Sequence, residues 1–277
     1  MKAFITLFLS IIISIIQISK TQAQTTSEDN ITSIKRHREG AKHVLEVAKL
    51  FEARVYVNAQ NDTLNYRLLK PLNYDPKKTY PLVVCLSGTG GRGTDNIKQI
   101  SSCWPSQILT KSKNRKDYPC FVFVPQCPLN SSWGVSSSHR LNTLTDIEFL
   151  VFDAIKSIEK EFFIDPTRRY VTGQSMGGFG TWHYIQQYPK MFAAAIPICG
   201  GGNPKLAHKI VDVPVWAFHG EIDTAVSVNF SRDMIASIKR AGGAPLYTEL
   251  KNVAHICWPL AYDTPNLLDW LFAQKNE

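Results

Sequence analysis

A serine hydroxyl is a useful nucleophile near neutral pH only when a base takes its proton and an acid holds that base in place. Residues able to fill these roles occur in the order Ser175, Asp223, His255. Ser175 lies in Gly173-Gln174-Ser175-Met176-Gly177, a G-x-S-x-G pattern. A β-branched and aromatic run, Tyr170-Val171-Thr172, leads into it, and the helix-like stretch Phe179 to Tyr188 follows. Between a strand and a helix, this pentapeptide reads as a sharp turn that lifts the serine hydroxyl clear of a sheet. The small residues two before and two after it let strand and helix pass closely. Met176, opening the helix, would aim its N–H at a developing oxyanion, where the helix dipole adds positive potential. Glycine and serine also make ordinary turns with an idle serine. The strand before, and the acid and histidine after, favour the nucleophile.

The acid should end a strand and the base should follow the last one. Asp223 closes His219-Gly220-Glu221-Ile222-Asp223, directly after the strand-like run Val213–His219. Glu221 is the competing acid, and His219 reads as a strand-end histidine with a structural hydrogen bond. His255 ends Asn252-Val253-Ala254-His255, after the run Leu246–Lys251; His139, His183 and His208 fall in other elements. A second oxyanion donor is expected from Thr89, in the glycine-rich stretch Ser87-Gly88-Thr89-Gly90-Gly91-Arg92-Gly93 that follows the third strand-like run. Three tryptophans fall near these residues. Trp182 suits the core and Trp258 the back of the histidine loop, which leaves Trp133 as the candidate platform for stacking a sugar or aromatic acid.

The elements that must position these residues alternate. Arg54–Val57 and Leu64–Lys70 read as an antiparallel hairpin around a turn-rich Asn58–Asp62. Pro81–Leu86 and Phe121–Val124 are continuous apolar runs, as expected of strands buried on both faces. Helices are expected over 97–111, up to Phe162 from a Thr143-x-x-Asp146 capping signal, after the elbow, over Phe230–Ala241 and over Pro265–Gln274. Further strands are expected over Phe192–Cys199, Val213–His219 and Leu246–Lys251. The expected fold is α/β: a mostly parallel eight-stranded sheet, helices on both faces, and the hairpin leading.

The chain has 277 residues and is 44% hydrophobic, enough for a full core. Its formal net charge is +8, and setting aside Lys2 and Lys20 leaves about +6. That charge is scattered, so nucleic-acid binding is a poor reading. Met1-Lys2-Ala3, the apolar run Phe4–Ile18 and Thr21-Gln22-Ala23 make a secretory signal peptide, cleaved after Ala23. The run is short for a membrane span, so stable membrane insertion is not expected. Residues 24–45 read as a loose segment and 46–277 as the catalytic domain. A secreted or periplasmic location follows. Export permits disulfides, but sequence does not choose among the pairings of Cys85, Cys103, Cys120, Cys127, Cys199 and Cys257. Cys85 and Cys120 read as buried thiols, and no spacing matches a zinc pattern.

From about Phe51 to Leu271 the chain resembles the α/β-hydrolase esterases related to feruloyl esterases and polyhydroxybutyrate depolymerases, a group also labelled "predicted peptidase" or phospholipase/carboxylesterase. The likeness rests on Phe51-Glu52-Ala53-Arg54, Pro81–Val84 with the Gly88–Asn96 loop, and Pro125-Gln126-Cys127-Pro128. It continues through Gly173–Gly178, Pro197–Gly201, His219–Asp223 and His255. Relatives usually read His-Gly-Ala-Gly where this chain has Ser87-Gly88-Thr89-Gly90. The resemblance implies a serine carboxylic-ester hydrolase acting through an acyl-enzyme with no metal or organic cofactor. Its substrate would be a small-molecule or polysaccharide ester, a feruloyl or acetyl group being expected. A general carboxylesterase and a prolyl-oligopeptidase-like peptidase are the alternatives, although the latter relatives use a propeller domain that this chain is too short to hold. Oligomeric state is left open.

Overall fold

Leu82, Val84 and Leu86 join one apolar cluster, while Val83 and Cys85, alternating with them, join another. Successive side chains of a strand point to opposite faces, so this strand is buried on both sides and a layer must cover each. The computed structural model describes residues 43–134 and 145–276. The expected signal peptide and most of the segment 24–45 lie outside the described residues. Residues 47–277 form one unit, described here.

Its sheet has eight strands: β1 (Glu52–Val57), β2 (Thr63–Leu69), β3 (Tyr80–Leu86), β4 (Phe121–Pro125), β5 (Ile164–Gln174), β6 (Ala194–Ile198), β7 (Trp216–Gly220) and β8 (Leu246–Leu250). Their order is β1-β2-β4-β3-β5-β6-β7-β8. β2 pairs antiparallel with both β1 and β4; from β4 through β8 every neighbouring pair is parallel. The expected sheet and leading hairpin are both present. A separate two-residue parallel ladder joins Ser131-Ser132 to Thr145-Asp146.

From residue 98 onward the helices are α1 (Lys98–Ser101), α2 (Trp104–Leu109), α3 (Ser112–Asp117), α4 (Glu148–Glu161), α5 (Met176–Gln187), α6 (Asn229–Arg240), α7 (Trp258–Tyr262) and α8 (Leu267–Ala273). Val151, Ile155 and Ile158 of α4, Trp182 and Ile185 of α5, and Met234 and Ile238 of α6 pack on one face. Ile108 and Leu109 of α2, Ala261 of α7 and Leu271 of α8 pack on the other.

Two expectations fail locally. The single helix over 97–111 is two short ones, α1 and α2. Pro105 lies in the first turn of α2, and a proline inside a continuous helix would remove a hydrogen bond and clash with the preceding turn. The Thr143-x-x-Asp146 capping signal is not used: α4 is capped by Ile147 without a side-chain bond, and Thr143 lies outside the described residues. Elements not anticipated include α3, α7 and a 3-10 stretch over Pro204–Ile210.

Candidate active site

β5 runs between β3 and β6 at the middle of the sheet and ends at Gln174. The next residue, Ser175, has φ 56° and ψ −118°, a conformation costly for a side chain with a Cβ. Three features hold it there. Ser175 N–H donates to the Ile198 carbonyl at 2.9 Å, and Phe179 N–H donates to the Ser175 carbonyl at 3.1 Å. Gly173 and Gly177 let α5 lie against the strand: a Cβ at Gly177 would sit 2.0 Å from the Leu86 carbonyl oxygen, and one at Gly173 would sit 2.5 Å from that of Gly177. The strained turn is thus built from neighbours on β3 and β6 and from two residues without side chains.

This turn, the β7 exit and the β8 exit bring the three expected residues together. His255 Nε2 lies 2.9 Å from Ser175 Oγ, and His255 Nδ1 lies 2.7 Å from Asp223 Oδ2. A carboxylate only accepts, so Nδ1 carries the proton and Nε2 is left to accept from the serine hydroxyl. Asp223 Oδ1 accepts the N–H groups of Ala225 at 2.9 Å and Val226 at 2.8 Å. Burial works to raise the Asp223 carboxyl. The Val226 N–H, the His255 ring and the Ala225 N–H outweigh it, so its pKa lies below the ordinary value. Glu221, the competitor, accepts Asn252 N–H at 2.9 Å on the exposed side of the loop.

His219 is buried, with Nδ1 2.7 Å from Ser231 Oγ and Nε2 3.0 Å from the Val226 carbonyl. Burial lowers its pKa and keeps it neutral. It supports the Asp223 loop rather than acting as base.

The His255 pKa is pushed up to about 9: the Cys199 thiol beside it raises it, burial lowers it, and the Asp223 carboxylate raises it further. The Cys199 thiol is itself driven far up by the Cys257 sulfur and by burial, so it carries no charge. We assign the lasting influence to Asp223. An imidazolium cannot take the serine proton, so ester turnover should rise with pH through the His255 pKa. A pH profile of kcat/KM is expected to inflect above the ordinary 6.5 and no higher than about 9. An inflection at or below 6.5 would contradict the Asp223–His255 pairing.

Two backbone amides stand at helix starts beside this turn. Met176 is the first residue of α5 and Thr89 the first of a one-turn 3-10 helix, Thr89–Gly91, so neither N–H has an acceptor within its own helix. Gly88 brings the second loop close, since a Cβ there would lie 3.7 Å from that of Ser175. Sequence reasoning gave no role to the residue that anchors this loop. Gln126, one step past β4, accepts Asn96 N–H at 2.6 Å and donates to Asp95 Oδ1 at 2.8 Å. Burial opposes the Asp95 charge, but Lys98 N–H and Gln126 help hold its pKa at about 2. A long polar side chain at the end of a wholly buried strand was the available signal.

Trp133 requires a correction. It is 1% exposed, and its indole N–H donates to the Ser87 carbonyl at 2.8 Å, at the start of the glycine-rich loop. It is no open stacking platform, because an indole N–H left inside without a partner is costly and the Ser87 carbonyl draws the ring inward. Trp133→Ala is therefore expected to lower folding stability by about 3–5 kcal/mol, read by denaturant unfolding, rather than to change ester preference alone. Trp182 is buried in the core, and Trp258 stands edge-on to His255 with ring centroids 5.6 Å apart. A cavity of about 260 Å³ is lined by Met176, Phe179, His183, Gly202 and Leu206, with Trp133 contributing to its wall.

Cys199 Sγ, an Asp223 oxygen and a His255 nitrogen lie within 4.8 Å of one another. Asp223 and His255 are engaged with each other, and the sulfur faces Cys257, so they are read as a hydrogen-bonded cluster and not as metal ligands.

Residues 58–237 match the family model Esterase, described as "Putative esterase". The chain belongs to the esterase family. It is 28% identical over 172 residues to "Probable feruloyl esterase C" of Aspergillus niger, covering 58% of each chain. It is 32% identical over 175 residues to the "Bifunctional acetylxylan esterase/xylanase XynS20E" of Neocallimastix patriciarum, covering 62% of this chain and 23% of that one. A crystal structure of a thermostable esterase superposes with a TM-score of 0.78 at 37% identity, covering 83% of this chain and 64% of that one. This member of the esterase family thus spans less than two thirds of each relative's length. Its order of strands and helices is that of an α/β-hydrolase esterase. No helix among the described residues is long and apolar enough to cross a membrane.

Proposed function

We propose that this protein is an exported serine carboxylic-ester hydrolase that works through a Ser175–His255–Asp223 triad and an acyl-enzyme, on feruloyl or acetyl esters of polysaccharide. The observation that carries the reading is the continuous relay from Ser175 Oγ through the His255 ring to Asp223, at 2.9 and 2.7 Å, on a strained turn.

The chemistry follows from proton ownership. His255 Nε2 takes the proton as Ser175 Oγ attacks the ester carbonyl. The imidazolium is held by Asp223. The oxyanion meets the amides of Met176 and Thr89, each such donor contributing about 3 kcal/mol to the transition state. His255 then protonates the leaving alcohol. Water enters, loses its proton to the same nitrogen and attacks the acyl carbon; the acid leaves as that nitrogen returns the proton to Ser175 Oγ. Every proton move has an owner among these residues.

Membership of the esterase family supports ester hydrolysis, and relatives named for feruloyl and acetylxylan esters support the substrate class. The N-terminal run Phe4–Ile18 supports export. The test is kcat/KM for methyl ferulate, acetylated xylan and p-nitrophenyl butyrate. One of the first two is expected to lead. If the butyrate ester leads by a wide margin, the polysaccharide reading fails and a general carboxylesterase remains.

A further inference from the structure

All six cysteines are buried; Cys85 neighbours Cys103, and a second pair lies at the site. Cys199 Sγ and Cys257 Sγ are 2.7 Å apart, across 58 residues of sequence. Nonbonded heavy atoms usually approach to about 3.5–4 Å, and a covalent S–S bond is about 2.05 Å. The pair sits between these limits, inside ordinary contact. Both side chains are wholly buried, so the closeness is not a chance meeting of mobile surface groups.

The backbone on each side is well held. Cys199 follows β6 with φ 49°, in the left-handed region where a side chain is disfavoured. Its N–H donates to the Phe218 carbonyl of β7 at 2.9 Å. Cys257 caps α7, accepting Ala261 N–H at 3.0 Å while its own N–H donates to the His255 carbonyl at 2.8 Å. Cys199 Sγ also lies 3.3 Å from that carbonyl. The two sulfurs therefore meet beside His255: one belongs to its loop, the other to the sheet end beside the elbow.

We infer that Cys199 and Cys257 are joined by a disulfide that ties the His255 loop to the end of β6. The inference rests on the export part of the proposed function, because exporting compartments supply the oxidant. That oxidant is a disulfide, carried by a thiol–disulfide oxidoreductase or a small-molecule disulfide. One cysteine thiolate attacks it, forms a mixed disulfide and releases one thiolate. The second cysteine, deprotonated, attacks the mixed disulfide and releases the other. The protein loses two protons and two electrons, and the oxidant becomes two thiols. Burial of both sulfurs places the step during folding. Once the bond has formed, no Cys199 thiol remains beside His255, and Asp223 alone holds the imidazolium. The cross-link tethers the loop against unfolding and does not enter the chemistry, since Asp223 positions the ring.

The test is peptide mapping of protein recovered from an exporting host, denatured and alkylated without reductant. A single linked pair of peptides carrying Cys199 and Cys257 is expected, with the other four cysteines alkylated. Protein refolded from denaturant in a glutathione redox buffer should show the same link. Six alkylated cysteines in both preparations, or Cys199 linked elsewhere, would overturn the inference. The Cys257→Ser variant should keep p-nitrophenyl acetate turnover at 25 °C but melt about 10 °C lower than wild type. Dithiothreitol should lower the wild-type melting point by a similar amount and leave the variant unchanged; an equal response of both would count against the bond. Should the variant not fold, the peptide map decides alone. An inactive protein bearing the link would sink only the ester-hydrolase reading. An active one with six free thiols would sink only this inference.

Discussion

Ser175→Ala is expected to lower kcat/KM for p-nitrophenyl acetate by about 10⁴-fold or more. At about 1.4 kcal/mol per tenfold, that is roughly 5–6 kcal/mol of transition-state stabilisation. The substitution removes the one oxygen facing His255 Nε2 and nothing that holds the fold. The bonds at this position are made by the Ser175 backbone to Ile198 and Phe179, which alanine keeps. Alanine also inherits the positive φ at a similar cost. The melting point of the variant should therefore stay within a few degrees of wild type. Loss of activity together with loss of fold would not count in favour of the nucleophile, so both are measured on the same preparation. A variant that folds and still turns over at more than about a hundredth of the wild-type rate would mean that Ser175 is not the nucleophile.

The second large effect is expected at Asp223. Asp223→Asn should cost about 10⁴-fold in kcat. The carboxylate at 2.7 Å keeps the proton of the imidazole on Nδ1. An amide at that place can offer an N–H instead, which favours the tautomer with its proton on Nε2, facing the serine with a donor where an acceptor is needed. The amide also withdraws the charge that stabilises the imidazolium. Glu221→Gln provides the contrast. Glu221 accepts a backbone N–H from Asn252 on an exposed edge, and glutamine can accept there too, so a change of no more than a few-fold is expected. If Glu221→Gln were the more damaging substitution, the acid has been assigned to the wrong residue.

Much of this site was legible in sequence because the fold presents its chemistry at strand ends. Ser175, Asp223 and His255 each follow a run apolar or β-branched enough to be seen as a strand, and the order of those runs matches the order of roles. Glu221 and Asp223 could not be separated by type or spacing. What separates them is which carboxylate is turned inward to meet the Ala225 and Val226 N–H groups, a matter of loop conformation.

Trp133 was misread for a related reason. Its position after β4 was visible, but the direction of its ring depends on one hydrogen bond to the Ser87 carbonyl, which joins residues far apart in the chain. The Cys199–Cys257 contact was hidden in the same way, since six cysteines allow many pairings and only the folding of α7 against the β6 end selects one. The helix expected over 97–111 failed more simply. Pro105 was in view, and its interruption of the helix outweighed the apolar spacing.

In the proposed mechanism, Ser175 is activated by His255 to form a covalent intermediate. The most direct test of this step is reaction with a fluorophosphonate, which a nucleophilic serine attacks to leave a stable phosphonyl ester. Intact mass and peptide mapping should show one adduct, on Ser175. It should be absent from Ser175→Ala, and its formation should slow by about 10³-fold or more in His255→Ala. Ester hydrolysis by a protein that takes up no label, or a label carried on any residue other than Ser175, would contradict the account.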